Sequence, residues 1–486
     1  MKKTVLLLSF LIPILTFGQT QKIGLQEAIL IAQKKSPDYK ANLNKNEASY
    51  WRNKNYFASF LPQFALNTTI PSYSKSTRRI TNDTGQDVFV NQNQSRIDAR
   101  LSVTQNVPFT GGSLSINSQI ERIDIFGNNA STGYSVIPFS VNYFQNSLFY
   151  NPYKWDKKIE PLVYEESKRD FIENMEQISL RTSQLYFNLL KSQMQLKIAQ
   201  KNYSNQDTLY QISKGRFKIG KIAENELLQM ELSLLNSKNS ITSATISLKK
   251  SSQNLSRYLE LNNENLELEI PENLEPFQVD AKKALKEAQS NRKFVIEYRR
   301  RRLQAEKELA RVKGENKIKM NVNANFGISQ QGSVFNDLFQ DFNQQQNITL
   351  TLGIPIFDWG VSKSKRRLAQ ANLDLSNTNL EQEKQAFEQE IYLHVLNWSG
   401  QRDFLEITEK AQKIAIKRYE ITKKRYILGK ITITDLNIAQ QEKDKSVVQY
   451  LNSLERFWVN YYTLRRLTLY DFINGKKIKF SDIEYK

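Results

Sequence analysis

The chain has 486 residues, no cysteine and one histidine, and 69 lysines and arginines against 50 acids give a formal net charge of +19. Disulfides, thiolate metal sites and a cysteine-borne lipid anchor are excluded, and one imidazole, His394, cannot build a histidine metal cluster. A basic exported chain meets lipid phosphates or acidic partners rather than nucleic acid, and the run Arg299-Arg300-Arg301-Arg302 reads as the solvated face of a helix.

Export is indicated by residues 1–18. Lys2 and Lys3 precede an apolar stretch over 5–17, and Thr16-Phe17-Gly18 offers a small-residue cleavage site before Gln19. Loss of these two lysines from +19 leaves +17. No later apolar run is long enough for a transmembrane helix. Leu25, Ala28, Ile29 and Ala32 mark one face of a first helix, Ser36-Pro37 breaks it, and a second helix is expected over 37–60. From Gln63 the pattern changes to period two. Phe64, Leu66, Thr68 and Ile70 fall on one side, followed by Ala99, Leu101 and Val103, then Leu114, Ile116 and Ile120, then Ile137, Phe139, Val141 and Tyr143. Met320, Val322, Ala324, Phe326 and Ile328 form a fifth such stretch, and Ile348, Leu350, Leu352, Ile354 and Ile356 a sixth. Alternation of this kind predicts strands with one apolar and one polar face. The segments 80–96, 125–134 and 330–346, rich in Asn, Gln, Gly and Ser, are expected to be exposed loops.

Between the strands the pattern predicts helices of unusual length. Residues 160–217 hold no proline after Pro161 and no glycine before Gly215, which allows roughly 80–90 Å of helix. An apolar ridge at 4-3 spacing begins Phe171, Met175, Ile178, Thr182 and continues through Leu189 and Ala199 to Tyr203 and Tyr210. The next helix, 224–259, keeps a heptad through Leu227, Leu234, Ile241, Leu248 and Leu255, as coiled-coil seams do. A short strand is expected at 266–269, a helix from about 280, and long helices over 363–427 and 436–464.

The chain is organised around SKGRFKIGKIAENELLQMEL at 213–232, which returns at 422–441 as TKKRYILGKITITDLNIAQQ. Arg216 falls on Arg425, Phe217 on Tyr426, Gly220 on Gly429, Lys221 on Lys430, Glu226 on Asp435 and Leu227 on Leu436. Each copy reads as the tip of a helical hairpin, with glycine supplying the turn. Two tips in one chain indicate an internal duplication. Ala284, Ala288 and Gln289 repeat Ala28, Ala32 and Gln33 at an offset of 256, whereas the tips repeat at 209. The first half therefore carries 47 extra residues, in the interval holding the surplus strands near 99–107 and 113–124.

Taken together, the chain resembles the outer-membrane efflux (TolC) family over nearly all of its mature length. The resemblance is carried by Gly215-Arg216-Phe217-Lys218-Ile219-Gly220 and Arg425-Tyr426-Ile427-Leu428-Gly429, each followed by an acidic-Leu pair, and by Leu61-Pro62 and Gly353-Ile354-Pro355-Ile356-Phe357. It implies a mixed fold, a long α-helical coiled-coil barrel joined to a trimeric transmembrane β-barrel, internally duplicated with repeats over 19–278 and 279–486. It implies a homotrimer in the cell outer membrane of a Gram-negative bacterium that reaches into the periplasm. There it would act as the passive duct of a tripartite efflux or type I secretion system, with a periplasmic adaptor and an inner-membrane pump as partners. Backbone physics points the same way: without an apolar helix only a closed barrel spans lipid, and four or six strands are too few to close around a pore. The surplus hairpin either joins that barrel or folds outside it.

By the same resemblance Asp435 lies at a gate position, where copies around an axis would form a negative constriction, and Glu226 could add charge there by pairing with Lys430 or Arg425. Simple N-terminal helix charge is the other reading of both acids. Further family-like acidic and basic positions hold Ile438 and Ile431 here. The hairpin tips, Arg216, Phe217, Gly220, Arg425, Tyr426, Gly429 and Lys430, are the expected adaptor-docking residues, with Phe217 and Tyr426 packing in the tip. No nucleophile motif, metal cluster or phosphate loop is present, so neither enzyme activity nor a cofactor is expected. An exported periplasmic coiled-coil scaffold without a pore is the alternative, and it leaves the six alternating stretches unexplained.

Overall fold

Six strands, β2 to β5 and β7 to β8, form one antiparallel sheet in the order β2-β3-β4-β5-β7-β8. The computed structural model describes residues 21–127, 130–262, 265–272, 277–316 and 318–479; the expected signal, 1–18, lies outside the described residues. In chain order the elements used below are β1 (Gln21–Ile23), α1 (Leu25–Lys35), α2 (Pro37–Ala58), β2 (Gln63–Thr81), β3 (Asp87–Val107), β4 (Gly112–Ile125), β5 (Ser131–Gln145), α3 (Pro152–Lys218), α4 (Glu224–Leu259), β6 (Leu266–Leu268), α5 (Ala281–Asn291), α6 (Lys293–Glu315), β7 (Lys319–Gly332), β8 (Asn343–Gly353), α7 (Val361–Ser399), α8 (Gln401–Ile427) and α9 (Ile433–Thr468). No helix among the described residues is long and apolar enough to cross a membrane.

The chain divides into two compact units. One combines Asn46–Lys168 with Lys293–Gln385, and the other holds Arg169–Arg292 with the chain up to Lys45 and from Ala386 onward. In the first unit, register sorts the sheet's two faces. Phe64, Val103, Ile116, Val141 and Phe326 stand opposite one another across five strands. One residue along, Ala65, Ser102, Asn117, Ser140, Gly327 and Gln345 cross all six. Side chains alternate along a strand, so the apolar row and the small polar row lie on opposite faces. Pro138 sits at a register shift in β5, the place in a sheet where a missing N–H is tolerated. The apolar face stays open: Phe64, Leu66 and Ile70 on β2, and Ile348, Leu350 and Leu352 on β8, are all more than half exposed.

The strands are longer than alternation predicts. Most of 80–96, and parts of 125–134 and 330–346, are ladder rather than loop. Ser72↔Arg96 through Thr81↔Asp87 pair without interruption, because the ladder is made by backbone groups and needs no apolar side chain to form. The basic run also departs from expectation. Arg300 makes a bidentate pair with Glu166 of α3 (2.5 and 3.1 Å), Arg301 binds Glu383 of α7, and Arg302 binds Glu306. These cations hold α6 between neighbours on both sides instead of facing water.

In the second unit, β1 pairs in parallel with β6, and the fully buried Tyr186 of α3 has its hydroxyl within reach of the carbonyls of Ile23 (2.9 Å) and Glu269 (2.6 Å). Around it pack Phe171, Met175, Ile178 and Leu189 of α3, Leu255 and Leu259 of α4, and Leu454, Phe457 and Trp458 of α9. Glu176, fully buried, receives both Nε (2.9 Å) and a terminal nitrogen (3.0 Å) of Arg465, whose guanidinium lies 5.6 and 5.9 Å from the ring centres of Tyr461 and Tyr462. The α4 heptad is present, but only Leu255 of it is fully buried and Leu227, Leu234, Ile241 and Leu248 are half-buried; Met230, Ser237 and Ala244 are the buried positions between them. Further toward the tip, α3 turns Asn202, Gln206, Leu209 and Ser213 inward rather than Tyr203 and Tyr210. Asn202 donates to Asp444 (2.6 Å) and Gln206 to Gln440 (3.1 Å). A polar seam of this kind is invisible to hydrophobic periodicity.

Helix ends shift where capping decides them. The helix expected over 160–217 starts at Pro152, because Asn151 accepts the Lys154 N–H (3.2 Å) and caps it; Pro161 is carried inside. The helix expected over 363–427 breaks at Gly400. His394 sits half-buried on α7, 2.9 Å from the Asn460 carbonyl, its pKa lowered by burial, and is structural.

The Glu176–Arg465 pair yields a direct test. Arg465→Met leaves a buried carboxylate without its counter-charge and is expected to cost about 3–5 kcal/mol, read as a lower unfolding midpoint. Replacing both partners by Met is expected to restore most of the loss.

Candidate functional site

The two hairpin tips fall in the second unit and are built alike. Gly220 and Gly429 adopt φ of +70° and +73°. The Gly220 N–H donates to the Phe217 carbonyl (2.9 Å) and the Lys221 N–H to Arg216 (2.9 Å); Gly429 donates to Tyr426 (2.8 Å) and Lys430 to Arg425 (3.0 Å). Both are Schellman closures with glycine at the left-handed position. A Cβ at Gly220 would meet nothing within 4 Å, and at Gly429 only the Arg216 guanidinium at 3.9 Å. Backbone angle, not space, requires glycine here.

The first tip is tied to the second by one side chain. Arg216, at the end of α3, donates from a terminal nitrogen to the carbonyl of Ile427, the last residue of α8 (2.8 Å), and its guanidinium lies 5.7 Å from the Tyr426 ring centre. A cation at a helix C-terminus satisfies an otherwise unpaired carbonyl and meets the negative end of the dipole. The Tyr426 hydroxyl is 3.2 Å from Ser213 Oγ, which is fully buried. Beneath lie Leu209, Met230, Tyr419, Ile433, Leu436 and Ala439.

The copies then diverge. Tyr426 is buried, as expected of a packing residue, whereas Phe217 is exposed. Tyr426 has Ser213 and Arg216 as partners, but the equivalent of Ser213, Thr422, bonds back to its own helix at Arg418. The acids diverge too. Thr432 caps α9: its Oγ1 accepts the Asp435 N–H (3.2 Å) and donates to the Asp435 carboxylate (2.8 Å), which also accepts the Thr432 N–H (3.2 Å). These bonds from Thr432, aided by Arg425, hold the Asp435 carboxyl below the usual range. The α4 cap is Ala223, with the same backbone angles and no side-chain bond, so Glu226 is an exposed acid in the first turn. Among the described residues no ion pair joins Glu226 to Lys430 or Arg425. Arg425, Gly429 and Lys430 are exposed at the second tip. Thr432 was missed in the sequence, although Thr-x-x-Asp ahead of Leu436 is a capping signature.

Beside Asp435 a groove of about 630 Å³ runs between α8 and α9, floored by Ile414, Ile421, Ile431 and Ile438 and edged by Lys417, Arg418 and Arg425. Arg418 is engaged by Glu442. The exposed isoleucines continue a stripe along α8: Ile407, Ile414, Ile421 and Leu428 recur every seven residues, all more than half exposed. On α4, Leu228, Leu232, Leu235 and Ile246 are exposed likewise. In a water-filled compartment, two heptad stripes without a partner are seams waiting for other helices.

Residues 321–468 match the family model described as outer membrane efflux protein. The chain is similar in fold to the Campylobacter jejuni CmeC outer membrane channel (TM-score 0.67, 17% identity, 94% of this chain and 87% of that one). It is also similar to the outer membrane protein VceC of Vibrio cholerae (0.64, 13%, 94% and 97%) and to the open state of the Neisseria gonorrhoeae MtrE outer membrane channel (0.60, 14%, 94% and 89%). No curated protein sequence matches.

The unequal caps make a prediction. Ala223→Thr places a capping hydroxyl three residues before Glu226 and completes the box that α9 already has. It is expected to stabilise the α4 start by about 1 kcal/mol and to slow amide exchange in its first turn, while Thr432→Ala does the reverse at α9.

Proposed function

We infer that this chain is a member of the outer membrane efflux protein family, whose model matches residues 321–468, and that it builds its pore from three identical copies. As a member it is a non-enzymatic transport protein, an outer-membrane efflux channel of the tripartite kind that extends into the periplasm. The observation that carries the trimer reading is the six-stranded sheet, apolar on one face and polar on the other, with both edges, β2 and β8, left unpaired. Lipid tolerates no open edge, so β8 of one copy joins β2 of the next until the sheet closes. The exposed α4 and α8 stripes are the matching helical seams between copies.

Conduction is passive, and control lies at the tips. Three copies bring three Asp435 carboxylates around the axis, a negative ring that favours cations. Arg216 holds each second tip to the first. The polar pairs above it, Asn202–Asp444 and Gln206–Gln440, exchange readily for water, so the seam separates at low cost when a partner pulls the tips apart. That partner is a periplasmic adaptor, docking on Gly220, Gly429, Phe217, Lys430 and the isoleucine-floored groove, and it couples the channel to an inner-membrane pump. The duplicated halves, 19–278 and 279–486, each supply one helical hairpin to this arrangement.

Single-channel recording in planar bilayers tests the reading. Arg216→Ala is expected to raise the open fraction several-fold, and a protein that never conducts in any variant would sink the proposal. The charge ring has a pH signature. Because Asp435 is held below the ordinary carboxylate range of about 3.9, cation preference is expected to persist down to about pH 4 and to fade only below it. Asp435→Asn is expected to reduce that preference at neutral pH and to abolish its acid dependence.

A further inference from the structure

We propose that the surplus hairpin of the first half is a structural part of the outer-membrane barrel, so that three copies close an exit of eighteen strands, six from each chain. The count rests on the three-copy reading above; the placement of the hairpin does not.

The duplication supplies two strands per repeat in its second half, β7 and β8, and four in its first. A hairpin folded outside the membrane would leave β2 to pair with β5 and would have no reason to carry a lipid pattern. Instead β3 and β4 lie between β2 and β5, and both keep that pattern in register. The apolar row enters the pair from Phe64, passes Val103 and Ile116, and leaves to Val141 and Phe326. Ala65 to Gln345 pass through Ser102 and Asn117 on the other face. A shift of one residue anywhere in β3 or β4 would put isoleucine into water and asparagine into lipid. The ladder also continues into β4 well past this band, from Val107↔Gly112 to Gln94↔Ile125.

Strand number sets the bore. With strands about 4.8 Å apart and tilted about 40°, eighteen close a cylinder about 36 Å across between backbones, against about 24 Å for twelve. The cross-section rises about 2.2-fold. Gln63, Thr104, Ser115, Asn142, Asn325 and Asn347 form a second six-strand row of amides and hydroxyls on the polar face, and Arg100, opposite Asn67 and Gln119, places a charge on that same face. An exit this wide does not discriminate by size among small solutes. With helices about 10–12 Å in diameter, it also passes a partly folded polypeptide, so the cargo class extends to bulky molecules.

The natural chain has no cysteine, so single thiols report without background. The full-length protein in proteoliposomes is treated with a charged, membrane-impermeant maleimide. Asn117→Cys on β4 is expected to react at least ten-fold faster than Ile116→Cys, and Ser102→Cys faster than Leu101→Cys on β3. Thr349→Cys against Ile348→Cys on β8 is the control. Equal reaction of the β3 and β4 pairs while the β8 pair alternates would place the hairpin outside the membrane and overturn the proposal. Loss of alternation on β8 as well would instead remove the barrel reading itself. Native mass spectrometry fixes the count: three copies give eighteen strands, and two copies give twelve and overturn the wide exit.

Discussion

Every strand in a membrane must hand its backbone N–H and C=O groups to a neighbour, because hydrocarbon offers no substitute, and the six-stranded sheet of this chain leaves its two edge strands with one side unmatched. β2 and β8 each have one paired side and one open side. Their side chains are the most exposed in the sheet for the same reason, since each lacks the flanking strand that would cover it. The chain on its own is an unfinished object. Closure by repetition satisfies the edges, the apolar face and the helical stripes together, and no single-copy arrangement does so.

The tips pose the opposite problem: they must hold and also let go. The deep part of the second unit is dry and aromatic, with Trp398, Phe457, Trp458 and Tyr461 packed around Phe277 and the Glu176–Arg465 pair buried beside them. Toward the tip the seam changes character. Asn202, Gln206 and Lys443 replace leucines, and Lys443 lies over the Tyr419 ring, bonded to Asn202 (3.3 Å). Dry packing is lost outright when it opens, whereas amide and carboxylate pairs regain water partners. Packing along these helices thus grades from apolar to polar toward the tip. Arg216 sits at the loose end and bridges the two repeats through a backbone carbonyl, a contact that survives changes in the side chains around Ile427.

The sequence made some of this legible and hid the rest for identifiable reasons. The tips could be found because left-handed turns demand glycine, and two glycines at matched offsets with the same flanking pattern mark a repeat. The inner ends of the strands could be found because one face meets an apolar medium. Their outer ends, from Ser72 to Thr81 and Asp87 to Arg96, could not, since both faces are polar and only backbone pairing makes them strands. β6 was expected as a short strand, but its partner β1 spans three residues, too few to show a period, and is held by Tyr186 from a distant helix. The arginine run looked like a solvated face because charge is usually outside. Its acidic partners, Glu166 and Glu383, are remote in sequence and become neighbours only when α3 and α7 flank α6.

The duplicated halves are not identical. Both halves keep the hairpin tip and its Schellman closure, so each copy brings two tips to the narrow end. Only the first half carries the additional strands β3 and β4, and the number of tips is unaffected. The acids behind the two tips are unequal. Thr432 fixes one acid in place, whereas Ala223 leaves Glu226 free to swing. The capping threonine decides which of the two carboxylates has a defined position.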